Sequence, residues 1–207
     1  MREAFAASEG SHDWHHIDRV RRMACYLSEH EGADRFVVEM AALLHDLDDR
    51  KYRRENEPAN RAETLLYSLE LDEAVLRSIL KVIDEVSFKG ARVETPASSR
   101  ESAVVQDADR LDAIGAIGIA RAFAYGGSHG RPLYDPGEAH TMHDHPDAYF
   151  SNQSSTVAHF YEKLLLLKDR LHTGAARKIA EERHEVMLRF LDQFYAEWNH
   201  DRPSPLQ

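Results

Sequence analysis

Residues 13–31 read DWHHIDRVRRMACYLSEHE. Val20, Met23 and Leu27 recur three and four positions apart, the spacing of one helix face. His16 stands four before Val20 and seven before Met23, so this helix carries an imidazole on its apolar stripe. Gly32 closes the segment.

The same period continues outward from this helix. Asp34 is a candidate N-cap for a second helix with Phe36, Val37, Met40, Ala41 and Leu44, ending around Asp46 to Asp48. His45 lies four after Ala41 and eight after Val37, again on the inward side, and Asp46 follows at the helix end. After the polar stretch 49–57, Pro58 stands at or near the start of a helix striped by Ala62, Leu65, Leu66 and Leu69. A further helix spans Asp72 to Val86, and Ser87 to Pro96 is a loop. Ser99 to about Tyr125 reads as one long helix rich in small residues, with Asp109 four after Val105 and seven before Ala116.

Residues 126–152 hold four of the ten glycines and form the longest irregular stretch, which suits a lid-like loop. Two last helices are expected over about Ser154–Leu171 and Gly174–Trp198, with a frayed tail at 201–207. No alternating apolar and polar run argues for a strand. The expectation is an all-α helical bundle in a single domain over 1–200. Its core helices run from about 13 to 125, and further C-terminal helices occupy 154–198.

Composition narrows the partners. The 207 residues carry a formal charge of −10, with 43% hydrophobic and 30% charged residues. Such a balance fits a folded chain and disfavours a nucleic acid polymer as partner, since phosphate backbones need a basic surface. A small anionic molecule is the better expectation. The one cysteine, Cys25, excludes an internal disulfide and suits a reducing cytoplasm. Neither a signal peptide nor a run of about 18 apolar residues is seen, so no membrane is expected. Both a monomer and a homodimer are compatible with the sequence.

Three segments carry chemistry: DWHHIDRV (13–20), AALLHD (41–46) and VVQDADRLD (104–112). Two imidazoles and two carboxylates, from His16, His45, Asp46 and Asp109, are directed toward one core. A buried aspartate is costly unless paired or bound to a metal. One divalent cation would compensate both carboxylates at once. Mixed imidazole and carboxylate ligation suits Mn, Fe, Co, Ni or Zn, and tolerates Mg less well. A lone histidine on an apolar stripe is more often a hydrogen-bonded core residue; the ordered set is more specific.

That set resembles the HD superfamily of metal-dependent phosphohydrolases, whose signature is H…HD…D on separate helices. The stretches VSFKG (86–90), QDADRLDAIGAIGIARAFAYGG (106–127), HFYEKLLLLKDRL (159–171) and KIAEERHEVMLRFL (178–191) extend the likeness. Together they resemble a bacterial branch of small HD hydrolases, some of them nucleotide pyrophosphohydrolases. Residue by residue, the resemblance implies the metal ligands His16, His45, Asp46 and Asp109, the last from its place in ADRL. Asp107 points roughly opposite on its helix, and Asp112 lies near the Asp109 face as a candidate support. Either can equally be a surface or capping residue.

The resemblance also implies that Asp49, with Asp46 on the metal, orients or deprotonates the attacking water; Asp48 is the nearer alternative. Lys51, Lys89, Arg19 and Arg131 are candidates for contacting substrate phosphate. Arg19 can instead pair with a carboxylate of the site. His140, His143 and His145 sit in the polar loop without a helix frame and are not read as a second metal site. The implied activity is metal-assisted hydrolysis of a nucleotide or related phosphate ester or anhydride, such as a triphosphate cleaved to monophosphate and pyrophosphate. The alternatives are a 5′-nucleotidase, a phosphodiesterase, or a metal-bound nucleotide sensor without turnover.

Overall fold

A computed structural model describes residues 13–48, 60–86, 95–138 and 154–200. Among the described residues there are eight α-helices, one 3₁₀ helix and no strand, an all-α architecture. The helices are α1 (Trp14–Glu31), α2 (Arg35–Leu44), α3 (Arg61–Ser68), α4 (Glu73–Val86), α5 (Arg100–Asp112), α6 (Gly115–Ser128), α7 (Thr156–Glu162) and α8 (Gly174–Trp198). The 3₁₀ helix, Leu164–Arg170, lies between the last two.

Side-chain caps set the helix starts, because the first amides of a helix have no partner within it. Asp13 accepts from the His16 amide at 3.0 Å. Asp34 accepts from Phe36 and Val37, at 2.9 and 3.1 Å. Ser99 accepts from Ser102 at 3.0 Å. Gly32 ends α1 in the left-handed region, where its amide donates to the Ser28 carbonyl. Helix α3 is capped from a distance, since Asn60 makes no side-chain cap bond. Both Asp48 oxygens accept instead, from the Arg61 and Ala62 amides at 2.9 Å each. That use identifies Asp48 as a structural cap.

Helix α1 packs against α2 and α5, α4 covers α2 and α5, and α8 lies across α6, α5 and α1. Their apolar stripes merge into one hydrophobic cluster, with Ile17, Val20, Leu27, Val38, Ile79, Val105, Leu111, Phe160 and Met187 almost fully excluded from water. Each such side chain contributes roughly 1.5–3 kcal/mol through burial. Asp107 joins the layers by accepting from the His172 amide at 2.9 Å and the Thr173 amide at 2.7 Å. It therefore caps the approach to α8, the blander of its two expected roles.

The long helix expected over Ser99–Tyr125 is in fact two. Asp112 ends α5, Ile114 is extended, and Gly115 begins α6 at φ 75°. A run of small residues conceals this break, since its composition is the same on both sides. The argument that Ala116 shares a face with Asp109 therefore fails, because the two lie on different helices. Helix α6 also runs through Ser128, three residues into the stretch expected to be a lid. The next residues are docked: Thr156 and Val157 amides donate to the Pro132 and Leu133 carbonyls at 2.9 and 3.0 Å. Residues 139–153 and 201–207 lie outside the described residues.

The break at Gly115 sets where Asp112 points. A Cβ there would meet Arg183 Cγ at 2.9 Å, in a backbone region that L-residues resist. Gly115→Ala is expected to destabilise the fold by about 1–3 kcal/mol. A lower urea midpoint checks this; an unchanged midpoint refutes it.

Candidate metal centre

Four side chains from three helical segments meet where the end of α2 abuts α1 and α5. One ligand atom from each of His16, His45 and Asp46 lies within 4.8 Å of the others, a spacing at which one metal ion can be held. His16 Nε2 stands 3.4 Å from Asp46 Oδ2 and 3.6 Å from Asp109 Oδ1. His45 Nε2 stands 3.4 Å from Asp46 Oδ1 and 3.9 Å from Asp109 Oδ1. The imidazoles are fully or almost fully buried, at 0% and 2%, whereas the Asp109 side chain is 27% exposed. Asp109 thus forms the solvent side of the cluster and is less enclosed than its sequence position implied.

The second nitrogen of each imidazole is fixed. His45 Nδ1 lies 2.9 Å from the Ala42 carbonyl, which can only accept, so Nδ1 carries the proton. Its Nε2 lone pair then faces carboxylate oxygens and makes no hydrogen bond among the described residues. His16 Nδ1 lies 2.7 Å from Asp112 Oδ2. With Nδ1 donating there, Nε2 is also directed at carboxylates. Lone pairs facing carboxylates repel unless positive charge lies between them. Burial pushes the His16 imidazole down, but Asp112, Asp46 and Asp109 outweigh it and hold its pKa above the ordinary value. The donor set, two imidazole nitrogens and two carboxylates, therefore fits a divalent cation.

Asp112 is the group that sequence reasoning left undecided. It is 5% exposed, yet it is fully partnered. Arg19 donates to it twice, from Nε at 2.7 Å and Nη2 at 3.0 Å. Arg121 donates from Nη1 to Oδ2 at 2.7 Å and to the Asp112 carbonyl at 3.1 Å. Burial alone would push this carboxyl up; the His16 and Arg19 bonds and the Arg121 charge instead hold it far below the usual range. Arg19 is therefore seen in its pairing role. Arg121 was not singled out from the sequence, because nothing local marks a contact made across the α5–α6 break.

Other expected residues divide into placed and undescribed. Arg131 lies 5.4 Å over the Tyr125 ring, just past α6. Arg110, beside Asp109 and open to the reading of a structural salt bridge, instead donates to Gln106 Oε1 at 2.7 Å and lies 2.9 Å from His172 Nε2. Asp49, Lys51, Lys89, His140, His143 and His145 lie outside the described residues. No described helix is long and apolar enough to cross a membrane.

Comparison with known proteins agrees with this geometry. The HD domain model matches residues 13–114, which span α1 to the end of α5 and include all four converging side chains. Bacillus subtilis YpgQ is 41% identical over 187 residues, covering 88% of this chain and 82% of its own. A Lactobacillus plantarum structure superposes with a TM-score of 0.83 at 36% identity, covering 97% of this chain and 93% of that one. YpgQ in complex with ADP gives a TM-score of 0.75 at 38% identity, covering 94% and 93%. An HD-superfamily hydrolase from Bacillus thuringiensis gives 0.73 at 42% identity, covering 96% and 92%. What these proteins share with the chain is its fold over nearly the whole length, and the Bacillus thuringiensis protein among them is an HD-superfamily hydrolase. The chain belongs to the HD superfamily of metal-dependent phosphohydrolases.

His159, on α7, was given no role from its sequence position. Burial, with the Lys163 and Arg131 charges nearby, pushes its imidazole down to about 3, so it is neutral in the folded chain. The unfolded chain takes up this proton near pH 6.5, which penalises folding increasingly as pH falls toward 3. Between pH 7 and pH 5 the penalty is about 2 kcal/mol. His159→Gln should therefore lose less stability than wild type over that range in denaturant titrations. Parallel losses in the two proteins would refute the burial of a neutral imidazole.

Proposed function

We propose that the chain is a metal-dependent phosphohydrolase acting on a nucleotide, with His16, His45, Asp46 and Asp109 holding one divalent cation. The observation that carries this reading is the convergence of two imidazole lone pairs and two carboxylates in a mostly buried site. The complex of the 41% identical YpgQ with ADP supports a nucleotide as ligand. The transition metals Mn, Fe, Co, Ni and Zn suit these donors better than Mg.

A bound cation supplies Lewis acidity, acidifying water and neutralising charge on phosphoryl oxygens. The protein supplies the orientation. Ala42 fixes the proton of His45 on Nδ1, and Asp112 fixes that of His16, so both Nε2 atoms present lone pairs. Arg19 and Arg121 hold the Asp112 carboxylate in place for that task. Asp49 is assigned the orientation of the attacking water by family resemblance, with Asp46 as its neighbour on the metal. Lys51, Lys89 and Arg131 are assigned to substrate phosphate on the same ground.

For a nucleoside triphosphate, water oxygen attacks the α-phosphorus and the bond to the bridging oxygen breaks. Pyrophosphate leaves with the electron pair of that bond, and the water proton passes to a carboxylate or to solvent. Monophosphate and pyrophosphate are the products. Asp109, the most exposed of the four, marks the side from which substrate enters.

Metal-stripped protein, supplied in turn with Mn, Co, Ni, Zn or Mg and a nucleotide panel, should form pyrophosphate and monophosphate. Orthophosphate as the product would instead indicate a 5′-nucleotidase. Nucleotide-stabilised melting without any product would identify a sensor. His45→Ala and Asp46→Ala should abolish both metal content and turnover; an Asp46→Ala protein with full metal and full rate would overturn the assignment. Asp112→Asn should weaken metal affinity by about 10–100-fold in a chelator competition. Unaltered affinity in that variant would remove Asp112 from the metal's support.

A further inference from the structure

A cavity of about 350 Å³ lies between α1, α5, α6 and α8. None of the four converging side chains lines it. Its polar wall holds three guanidinium groups, Arg19, Arg22 and Arg183, and one carboxylate, Asp112. Asp18 pairs with Arg22 from outside the lining, at 3.2 Å, so three cations stand against two anions and the site keeps a net positive charge on a chain of net charge −10. The lining also includes Tyr26 and Ile117, which are 47% and 45% exposed, and Met23.

Among the described residues, each guanidinium keeps donors for another acceptor. Arg19 spends Nε and Nη2 on Asp112, which leaves Nη1. Arg22 spends Nε on Asp18 and keeps both terminal nitrogens. Arg183 gives Nη1 to the Leu111 carbonyl and keeps Nε and Nη2. Three forked donors around one volume suit the oxygens of a phosphate, which guanidinium groups match in charge and geometry. The adjoining apolar and aromatic wall suits a flat or apolar body attached to that phosphate.

We infer that this cavity is a second anion site, for a small phosphate monoester with an aromatic body, separated from the metal centre by Asp112. Arg19 belongs to both places. An anion bound to Arg19 competes with Asp112 for the guanidinium and alters the hydrogen bond that Asp112 makes to His16. Occupancy of the cavity therefore changes the affinity of the metal centre, and the effect is reciprocal. This link rests on His16 being a metal ligand, as proposed above.

The test uses calorimetry on the metal-stripped full chain, with AMP as the probe and adenosine as the control. AMP should bind one to one, and adenosine should not bind. Arg22→Ala and Arg183→Met should each weaken AMP by about tenfold, the effect of losing charge-assisted bonds to phosphate. Arg22 is 65% exposed, so its removal tests the site without disturbing the fold. Asp46→Ala should leave AMP affinity unchanged.

AMP binding that is lost in Asp46→Ala but kept in both arginine variants overturns the site while leaving the hydrolase reading intact. Absent AMP binding, or equal binding of adenosine, overturns it too. Arginine-dependent binding by a protein that hydrolyses no nucleotide supports the cavity site and removes the hydrolase reading. AMP at a concentration near its wild-type Kd should also shift Mn affinity in the wild type, and by less in Arg22→Ala. An unshifted affinity in the wild type overturns the link between the two sites.

Discussion

The carboxylate of Asp112 is the point on which the centre depends. It receives the His16 imidazole at 2.7 Å, two bonds from Arg19 and one side-chain bond from Arg121, so it fastens α1 to the α5–α6 junction. Taking a carboxylate out of water costs several kcal/mol even after relaxation. Two guanidinium groups and an imidazole offset that cost here, and the geometry leaves neither oxygen unbonded. Because an ionised carboxylate can only accept, the same bond places the His16 proton on Nδ1. In the neutral imidazole the lone pair then falls on Nε2, which faces Asp46 and Asp109. Removing this one group would leave three part-buried arginine bonds unmade and the imidazole without a fixed tautomer.

Three aspartates within six residues of one helix show how position alone assigns different tasks. Asp109 follows Asp107 by about 200° of helical rotation and precedes Asp112 by about 300°, which is a return of about 60°. Asp107 therefore faces α8 and accepts from the His172 and Thr173 amides. Asp109 faces the end of α2 and the two imidazoles. Asp112 stands one turn further on, near the same side, and reaches α1 one atom behind the imidazole. The first is structural, the second borders the open side of the centre, and the third holds a neighbour in place.

This division explains what could be read in the sequence. The apolar stripes and the Asp34 cap are local signals that the sequence displays; Asp13 and Ser99, read only as approximate helix starts, prove to be caps as well. His16 and His45 were legible because helical spacing places them on inward faces, and Asp46 because it follows His45 at the helix end and matches the family's HD pair. The α5–α6 break was not, since one glycine among several small residues carries no distinct pattern until its positive φ is known. The contact of His16 with Asp112 spans 96 positions and that of Arg19 with Asp112 spans 93. No periodicity encodes a pairing at that range; the packing of α1 on α5 creates it. Arg121 and Arg183 were missed for the same reason, since both act on atoms that come into reach only after the chain turns at Gly115.

The break itself makes the arrangement possible. Were α5 and α6 one straight helix, Arg121, nine residues beyond Asp112, would lie about 13 Å further along the axis. Its guanidinium would have to reach back along the helix to find the carboxylate. The turn through Ile114 and Gly115 doubles the chain back sufficiently for Arg121 to bond both the side chain and the carbonyl of Asp112. It also exposes the Leu111 carbonyl near the end of α5, and Arg183 of α8 takes it up. Two arginines from elsewhere in the fold thus bond the last carbonyls of this helix, adding to the Ile114 amide that Leu111 already accepts at 3.3 Å. Charge at that end is then set by the same groups that steady His16. A substitution that restores a continuous helix would therefore disturb the centre before it touched any side chain there.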